Sequence, residues 1–470
     1  MSRHAELTKL DLPDFGLPTV EPVIPADTYR QRIARLYARA RQAGFDTLVV
    51  YGDREHSANL TYLTGYDPRF EEALLVLRID TGNEQKPILV VGNEGLGYTS
   101  ISPIKDDLEI ALFQSFSLMG QDRRRSRALA DILKAGGIGR GTRVGVAGWK
   151  YFGAQETATP DTWLEIPAYI ADTLRALTDG ESMLNAGAIL MDASSGLRAI
   201  NDVDQLAYFE FASTYTSQAV RDVIFGLRPG LSEFEAVQLM KVTGLPLCCH
   251  LMLSAGPRAF MGLPSPSLRR IARGEPFTAA YGVWGALTCR AGFVVETARE
   301  LPPAIADYVD RLVAPYFEAI AAWYARLRIG VTGGELYRVI HERIGDPFFG
   351  VGLNPGHLIH LDEWLHSPIY NGSTERLQSG MALQVDVIPA TGSPYFTTNI
   401  EDGIALADET LRAAFAARYP EAWKRIQARR AFMENTLGVR LSPEVLPFSN
   451  IPAYLPPYLL APRQAMRMVG

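Results

Sequence analysis

The chain has 470 residues, 47% hydrophobic and 21% charged, which is enough apolar material for a buried core and too long for a single one. Two domains are expected, and a disordered or low-complexity chain is excluded. The balance of 46 Lys+Arg against 52 Asp+Glu, a formal charge of −6, lacks the basic footprint of a nucleic-acid binder.

The start, Met1-Ser-Arg-His-Ala-Glu-Leu, has no apolar core of the kind a signal peptide carries, and no run of about 18 apolar residues follows anywhere, so no membrane partner and a cytoplasmic location are expected. From Thr28 a capping pair with Gln31 leads into Tyr29, Ile33, Leu36, Tyr37 and Ala40 at helical spacing, and Gly44 ends the helix. Strands are predicted at residues 47–51, 73–77, 88–91 and 143–147, with a helix at 124–134 between them, so this half reads as mixed α/β. Near Leu197-Arg-Ala-Ile-Asn-Asp the composition shifts. Asp202 and Gln205 open a long helix that stops at Arg228-Pro-Gly, and Ser232 with Glu235 forms a capping box for the next one.

Beyond this point strand-like runs at 277–287, 292–296, 381–388 and 399–406 are separated by helices predicted at 302–329 and 335–344, a block arrangement that predicts α+β with an antiparallel sheet. Six prolines among apolar residues between Pro443 and Pro462 predict an extended strap on the surface. The chain therefore divides into residues 1–197, 198–440 and a strap at 441–470. Cys248, Cys249 and Cys289 are an odd number and the first two are adjacent, which suits neither a disulfide framework nor a zinc knuckle and points to a reducing compartment.

Histidine placement is the most informative local feature. Of seven histidines, His357, His360 and His366 fall within one short segment that also holds Asp362 and Glu363, which offers a general acid or base at neutral pH, or metal ligands. Downstream, Asp386 and Glu401 each sit on a strand among aliphatic residues. A carboxylate so placed is costly unless paired or coordinated, so both are candidate site residues.

The Gly-His loop, then Gly380-Met with Asp386 and Pro389, then Glu401-Asp402 before an aliphatic strand, together resemble the creatinase / aminopeptidase P / prolidase superfamily. Tyr62-Leu-Thr-Gly-Tyr66 looks like its amino-terminal domain, and Leu197-Arg-Ala-Ile-Asn-Asp with Arg228-Pro-Gly-Leu-Ser-Glu233 looks like the opening of its pita-bread domain. The resemblance implies a mixed α/β creatinase-type amino-terminal domain, a pita-bread catalytic domain, a homodimer and cleavage of a C–N bond.

The metallopeptidases of the superfamily hold two divalent ions with two Asp, one His and two Glu. Carried over, the His is His357 and the last Glu is Glu401, with Asp386 at the other Glu position. The two Asp belong in a hairpin where this chain has Ala280 and, across a shortened turn, Cys289. A dinuclear site cannot be built from these residues. Creatinase itself works without metal but uses a His just before the hairpin, and the corresponding segment here, residues 254–266, has none. His357, His360 or His366 is then the expected proton-transfer residue, with Glu401 or Asp386 orienting it. Tyr281, Trp284 and Cys289 are expected to line the substrate pocket. Arg54 and Arg69, in loops that in creatinase-like proteins reach the partner's active site, are candidate binders of a substrate carboxylate.

The expected activity is hydrolysis of a C–N bond in a small guanidino, amide or Xaa-Pro-like molecule, without a cofactor. The alternatives are one divalent metal ion on His357, Asp386 and Glu401, making a mononuclear Xaa-Pro peptidase, or a ligand-binding pseudopeptidase that turns nothing over.

Overall fold

The structure, a computed structural model, describes residues 3–79, 85–178 and 182–470. The chain folds into two compact units, Ile24–Ala199 and a second that joins Met1–Val23 to Ile200–Gly470. The division differs from the one expected at 197/198 and 440/441 in two respects. The first residues go with the second unit because His4–Lys9 pairs antiparallel with Gln464–Val469. The proline-rich tail is no surface strap. Val445–Pro447 adds to the strand Asn399–Leu406, the amide of Leu459 donates to the carbonyl of Phe293 at 2.9 Å, and Ile451, Tyr454, Leu455 and Leu459 are buried. Proline withholds a backbone donor, but the apolar residues between the prolines gain more from burial than a strap on the surface would give them.

In the Ile24–Ala199 unit the helix Ala26–Gln42 buries Tyr29, Ile33, Leu36, Tyr37 and Ala40, the face its periodicity predicts. It starts two residues before Thr28, with Pro25 as an extended N-cap that makes no side-chain bond, so Thr28 and Gln31 are not its cap. Gly44 follows in the left-handed region, φ +76, where glycine is favoured. The helix predicted over 124–134 is shortened to Leu129–Ala135, entered from an extended Ala128. The sheet runs Glu109–Leu112, Ile88–Val91, Ala73–Arg78, Thr47–Gly52, Val144–Ala147, Met183–Asn185. Ala73–Arg78 pairs antiparallel with both of its neighbours, and the other three pairs are parallel. The mixed α/β expectation for this unit holds.

In the second unit Asp202 caps the helix Val203–Gly226 by accepting from the amide of Gln205, and Ser232 and Glu235 complete their capping box, as predicted. The 277–287 run is a hairpin rather than one strand. Pro276–Val283 and Ala286–Phe293 pair antiparallel around Trp284-Gly285, where Gly285 takes φ +85 and the ring of Phe209 occupies the space a side chain at Gly285 would need. The predicted 302–329 helix is broken into a 3-10 turn at Pro303–Ile305, a π turn at Val309–Val313 and the α-helix Ala314–Arg326. The helices Glu409–Arg418 and Pro420–Ala431 bury few side chains and fall outside the elements predicted from the sequence. The antiparallel sheet is ordered His357–Leu358, Ala382–Asp386, Asn399–Leu406, Ala286–Phe293, Pro276–Val283, Met252–Ala255, which gives the α+β class.

Two buried ion-pair networks fasten this unit. Arg290 meets both carboxylate oxygens of Asp402 at 2.9 and 2.7 Å and donates to the carbonyls of Tyr454 and Ile451, tying the sheet to the tail. Arg425 and Arg429 converge on Glu210 of the long helix. Among the described residues no helix is long and apolar enough to cross a membrane.

Candidate active site

Strand register builds the site. Met252 stands opposite Ala280, Ala280 opposite Cys289, Cys289 opposite Glu401, and Glu401 opposite Asp386. These five residues form one row across five strands, with Cβ atoms of neighbours about 4.5–5.5 Å apart. Across the hairpin Cys289 faces Ala280 directly. His357 pairs with Gln384, two residues from Asp386 and on the same face of the strand. Its side chain closes the group: ligand atoms of His357, Asp386 and Glu401 all lie within 4.8 Å of one another.

The acids on adjacent positions 401 and 402 have different tasks because side chains alternate along a strand. Asp402 turns to Arg290, and Glu401 turns to Asp386 and His357. The Gln384 amide donates to the carbonyl of Leu287 at 2.6 Å, over Gly403, where an added side chain would lie 3.3 Å from its Oε1. The strand that carries Asp386 is thereby held to the hairpin.

The imidazole of His357 has no solvent exposure. Its Nδ1 lies 3.2 Å from the carbonyl oxygen of Leu358, so Nδ1–H donates there and Nε2 is turned toward carboxylates. Nε2 is 3.2 Å from Glu363 Oε1 and 3.8 Å from Asp386 Oδ2. The 359–366 loop covers the group. Trp364 stacks on His357 with ring centroids 4.2 Å apart, while its own indole is partly exposed.

The environment moves protonation toward neutrality. Burial alone lowers the pKa of His357, but the Glu363 contact and then the Asp386 charge outweigh it and the net shift is upward. Desolvation pushes Asp386 up to about 6 against the downward pull of His357. Burial, then the charges of Asp386 and Glu363, push Glu401 well above the ordinary carboxylate range. Burial, then Glu401, do the same to the Cys289 thiol, so Cys289 is a poor nucleophile here.

The three clustered histidines separate in space. His360 is buried with its ring edge-on to Phe209 at 5.2 Å. His366 is half-buried, its carbonyl accepting from the Leu358 amide at 2.7 Å. Among the described residues only His357 joins Asp386 and Glu401 in a potential ligand group. Tyr281 is buried, and strand alternation puts it on the face opposite Ala280 and Cys289, so it lies off the row. Trp284 occupies the hairpin turn, its amide donating to the carbonyl of Pro246 at 2.8 Å. Arg54 and Arg69 belong to the Ile24–Ala199 unit, where both line one cavity of about 640 Å³ with Glu55, Asp67 and Glu94. Arg69 is paired with Asp67 at 3.2 Å.

Sequence reasoning left out Trp364 as cover, Met252 at the end of the row, and Cys248 and Cys249 packed beside it. The nearness of Glu363 to His357 was visible in the chain order, but nothing in the sequence shows that Met252 lands opposite Ala280.

Two divalent ions do not fit the row, because Ala280 has no donor atom and a thiol stands at Cys289. One ion fits the donor chemistry of His357, Asp386 and Glu401, and Asp386 Oδ1 is buried without a hydrogen-bond partner.

No protein-family model and no curated protein sequence matches the chain. Solved structures do match. A prolidase from Thermococcus sibiricus is similar with a TM-score of 0.61 and 18% identity, covering 81% of this chain and 95% of that one. An Xaa-Pro dipeptidase from Bacillus anthracis matches with a TM-score of 0.60 and 17% identity over 81% and 96% of the two chains. Dipeptidase PepE from Mycobacterium ulcerans gives 0.59 and 18% over 81% and 94%. The chain shares the fold of these dipeptidase and prolidase structures, the amino-terminal α/β domain and pita-bread domain that the sequence resemblance implies.

Proposed function

We propose that this protein hydrolyses a C–N bond of a small guanidino, amide or Xaa-Pro-like molecule, using acid–base chemistry at His357, Asp386 and Glu401 in place of a dinuclear metal centre. The observation that carries the reading is the row itself. The two hairpin positions are Ala280 and Cys289, while Asp386 and Glu401 remain paired against a buried His357. Two carboxyls and an imidazole with pKa values moved toward neutrality form a set that can take and return a proton at working pH.

In this scheme Glu401, kept protonated by burial, is the acid for the leaving nitrogen, and His357 is the base for the attacking water, with Asp386 orienting Nε2. A C–O bond forms as the C–N bond breaks. The water proton passes to the imidazole, and the Glu401 proton goes to the departing amine. The stacked Trp364 and the Glu363 contact close the site over His357, which favours a small substrate, and the 359–366 loop has to open for one to enter. The reading carries a homodimer with a small-molecule substrate.

A second reading is favoured by the unpartnered Asp386 Oδ1: a single divalent ion held by His357, Asp386 and Glu401 would supply Lewis-acid polarisation of the scissile bond. The discriminating experiment measures metal content in protein purified without added metal, alongside amine or ammonia release from Xaa-Pro dipeptides, amides and guanidino compounds. Turnover that survives chelation and is lost in Glu401→Gln supports metal-free chemistry. One equivalent of ion required for turnover selects the second reading, and two equivalents per chain sink both.

A further inference from the structure

Three connections of the Ile24–Ala199 unit meet at one edge of its sheet. Thr47–Gly52 and Ile88–Val91 both run antiparallel to Ala73–Arg78, which lies between them, so Gly52 and Val91 end their strands at the same edge, opposite Ala73. Open α/β sheets form their binding crevices outside the carboxyl ends of their strands. Every residue that lines the cavity of about 640 Å³ comes from the stretch after one of these two strands or from the one that enters the third. Its size lies within the range of small-molecule sites, about 300–1,000 Å³.

Local bonds shape the wall. Asp53 Oδ1 accepts from the amides of Glu55 and His56 at 2.9 and 2.7 Å, and the ring of His56 stacks on Trp149 with centroids 4.6 Å apart. The buried Glu71 accepts from the amide of Gly95 at 2.9 Å. An added Cβ at Gly95 would fall 2.6 Å from the Tyr66 hydroxyl, so the glycine lets this stretch close on its neighbour. Asp67 holds Arg69 Nε at 3.2 Å, and those two charges cancel. Arg54, Glu55 and Glu94 are exposed and form no side-chain hydrogen bond or ion pair among the described residues. Phe70 and Tyr98 line the same cavity with exposed rings. Open apolar rings beside unpaired charges of both signs suit a ligand of mixed character.

We propose that this cavity binds a short peptide of two or three residues with free termini and an apolar side chain. The guanidinium of Arg54 matches the terminal carboxylate bidentately. Glu55 and Glu94 match the terminal ammonium, which aromatic faces also attract, and Phe70 and Tyr98 take the apolar side chain. A simple anion fits poorly because three carboxylates line the cavity against two guanidiniums, and a simple cation would leave Arg54 unmatched. A single amino acid would fill only part of the space. The inference uses none of the residues assigned to the C–N chemistry and does not rest on that reading.

The test is calorimetric titration of the full chain with alanyl-phenylalanine, its N-acetyl derivative and its carboxyl-terminal amide. One peptide per chain is expected, with each capped form bound about tenfold more weakly, the loss of one charge-assisted contact. Arg54→Gln should weaken the free peptide by about tenfold and leave the amide's affinity unchanged; Arg54 is exposed and unbonded, so this variant keeps the fold. Binding retained in His357→Ala separates the site from the row. Arg54→Gln binding the free peptide as the parent does, capped peptides bound as tightly as the free one, binding lost in a folded His357→Ala, or no saturable binding at about 1 mM peptide would each overturn the proposal.

Discussion

Placing acids at Ala280 and Cys289 gives the sharpest test of the proposed loss of a dinuclear centre. In Ala280→Asp/Cys289→Asp both introduced carboxyls lie in a row that is already buried, next to Glu401 and one strand from Asp386. Ala280 is 2% and Cys289 5% exposed, so water cannot solvate either group, and neighbouring carboxyls oppose their ionisation. Each unsatisfied buried polar group costs about 1–3 kcal/mol, which puts the metal-free double variant roughly 2–6 kcal/mol below the parent. At about 2 °C per kcal/mol for a large domain, its melting temperature should fall by ~4–12 °C. The same acids complete a two-Asp, one-His, two-carboxylate set, so divalent ions should recover part of the loss, about 2.7 kcal/mol at a hundredfold excess over Kd. The assay is thermal unfolding with and without Mn2+ or Zn2+, together with metal stoichiometry. A double variant as stable as its parent without metal, or one whose melting ignores added ions, refutes the assignment of these two positions.

Three further outcomes follow from the geometry. Asp402→Ala strands Arg290, which is 1% exposed, and should destabilise the protein by about 3–5 kcal/mol in denaturant unfolding; a change under 1 kcal/mol would mean the Arg290 pair is not what joins sheet and tail. Asp386 has a folded pKa raised from 3.8 to about 6, so the folded state binds more protons between those values. Stability should therefore fall as pH rises from about 4 through 6, and Asp386→Asn should flatten that slope; an unaltered slope in the variant would show that another group titrates. Trp364→Ala removes the ring stacked on His357 and should raise the rate of His357 carbethoxylation severalfold, measured by peptide mass, and an unchanged rate would remove Trp364 from the role of cover.

Much of this architecture is readable along the chain. Local capping chemistry marks the starts of the helices at Val203 and Glu233, because Asp202 and Ser232 each accept from the amide three residues on. The strands at 48–51 and 88–91 are continuous apolar runs, and no long-range information is needed to see them. Errors fall where distant contacts compete with local pattern. Thr28 and Gln31 have the spacing of a cap, yet the helix begins at Ala26. The proline-rich tail has the composition of a strap, yet it is drawn into the core by Phe293, Asp402 and Arg290, none of them near it in sequence.

The site divides along the same line. The sequence alone determined the residue types: an imidazole, two carboxylates flanked by aliphatics, and no acid at either hairpin position. Those are properties of single residues and short motifs, and set beside the family resemblance they carry the expectation that a two-ion centre is absent. Only the tertiary structure decided which of three histidines faces the carboxylates, since a turn at 359–366 sends His360 toward Phe209 and leaves His357 alone against Asp386. It also decided that Glu401 and Asp402 look to opposite faces, and that Met252, Cys289 and the Cys248–Cys249 pair meet. These are matters of register between strands far apart in sequence, and a shift of one residue in any pairing would turn the whole row to the other side of the sheet.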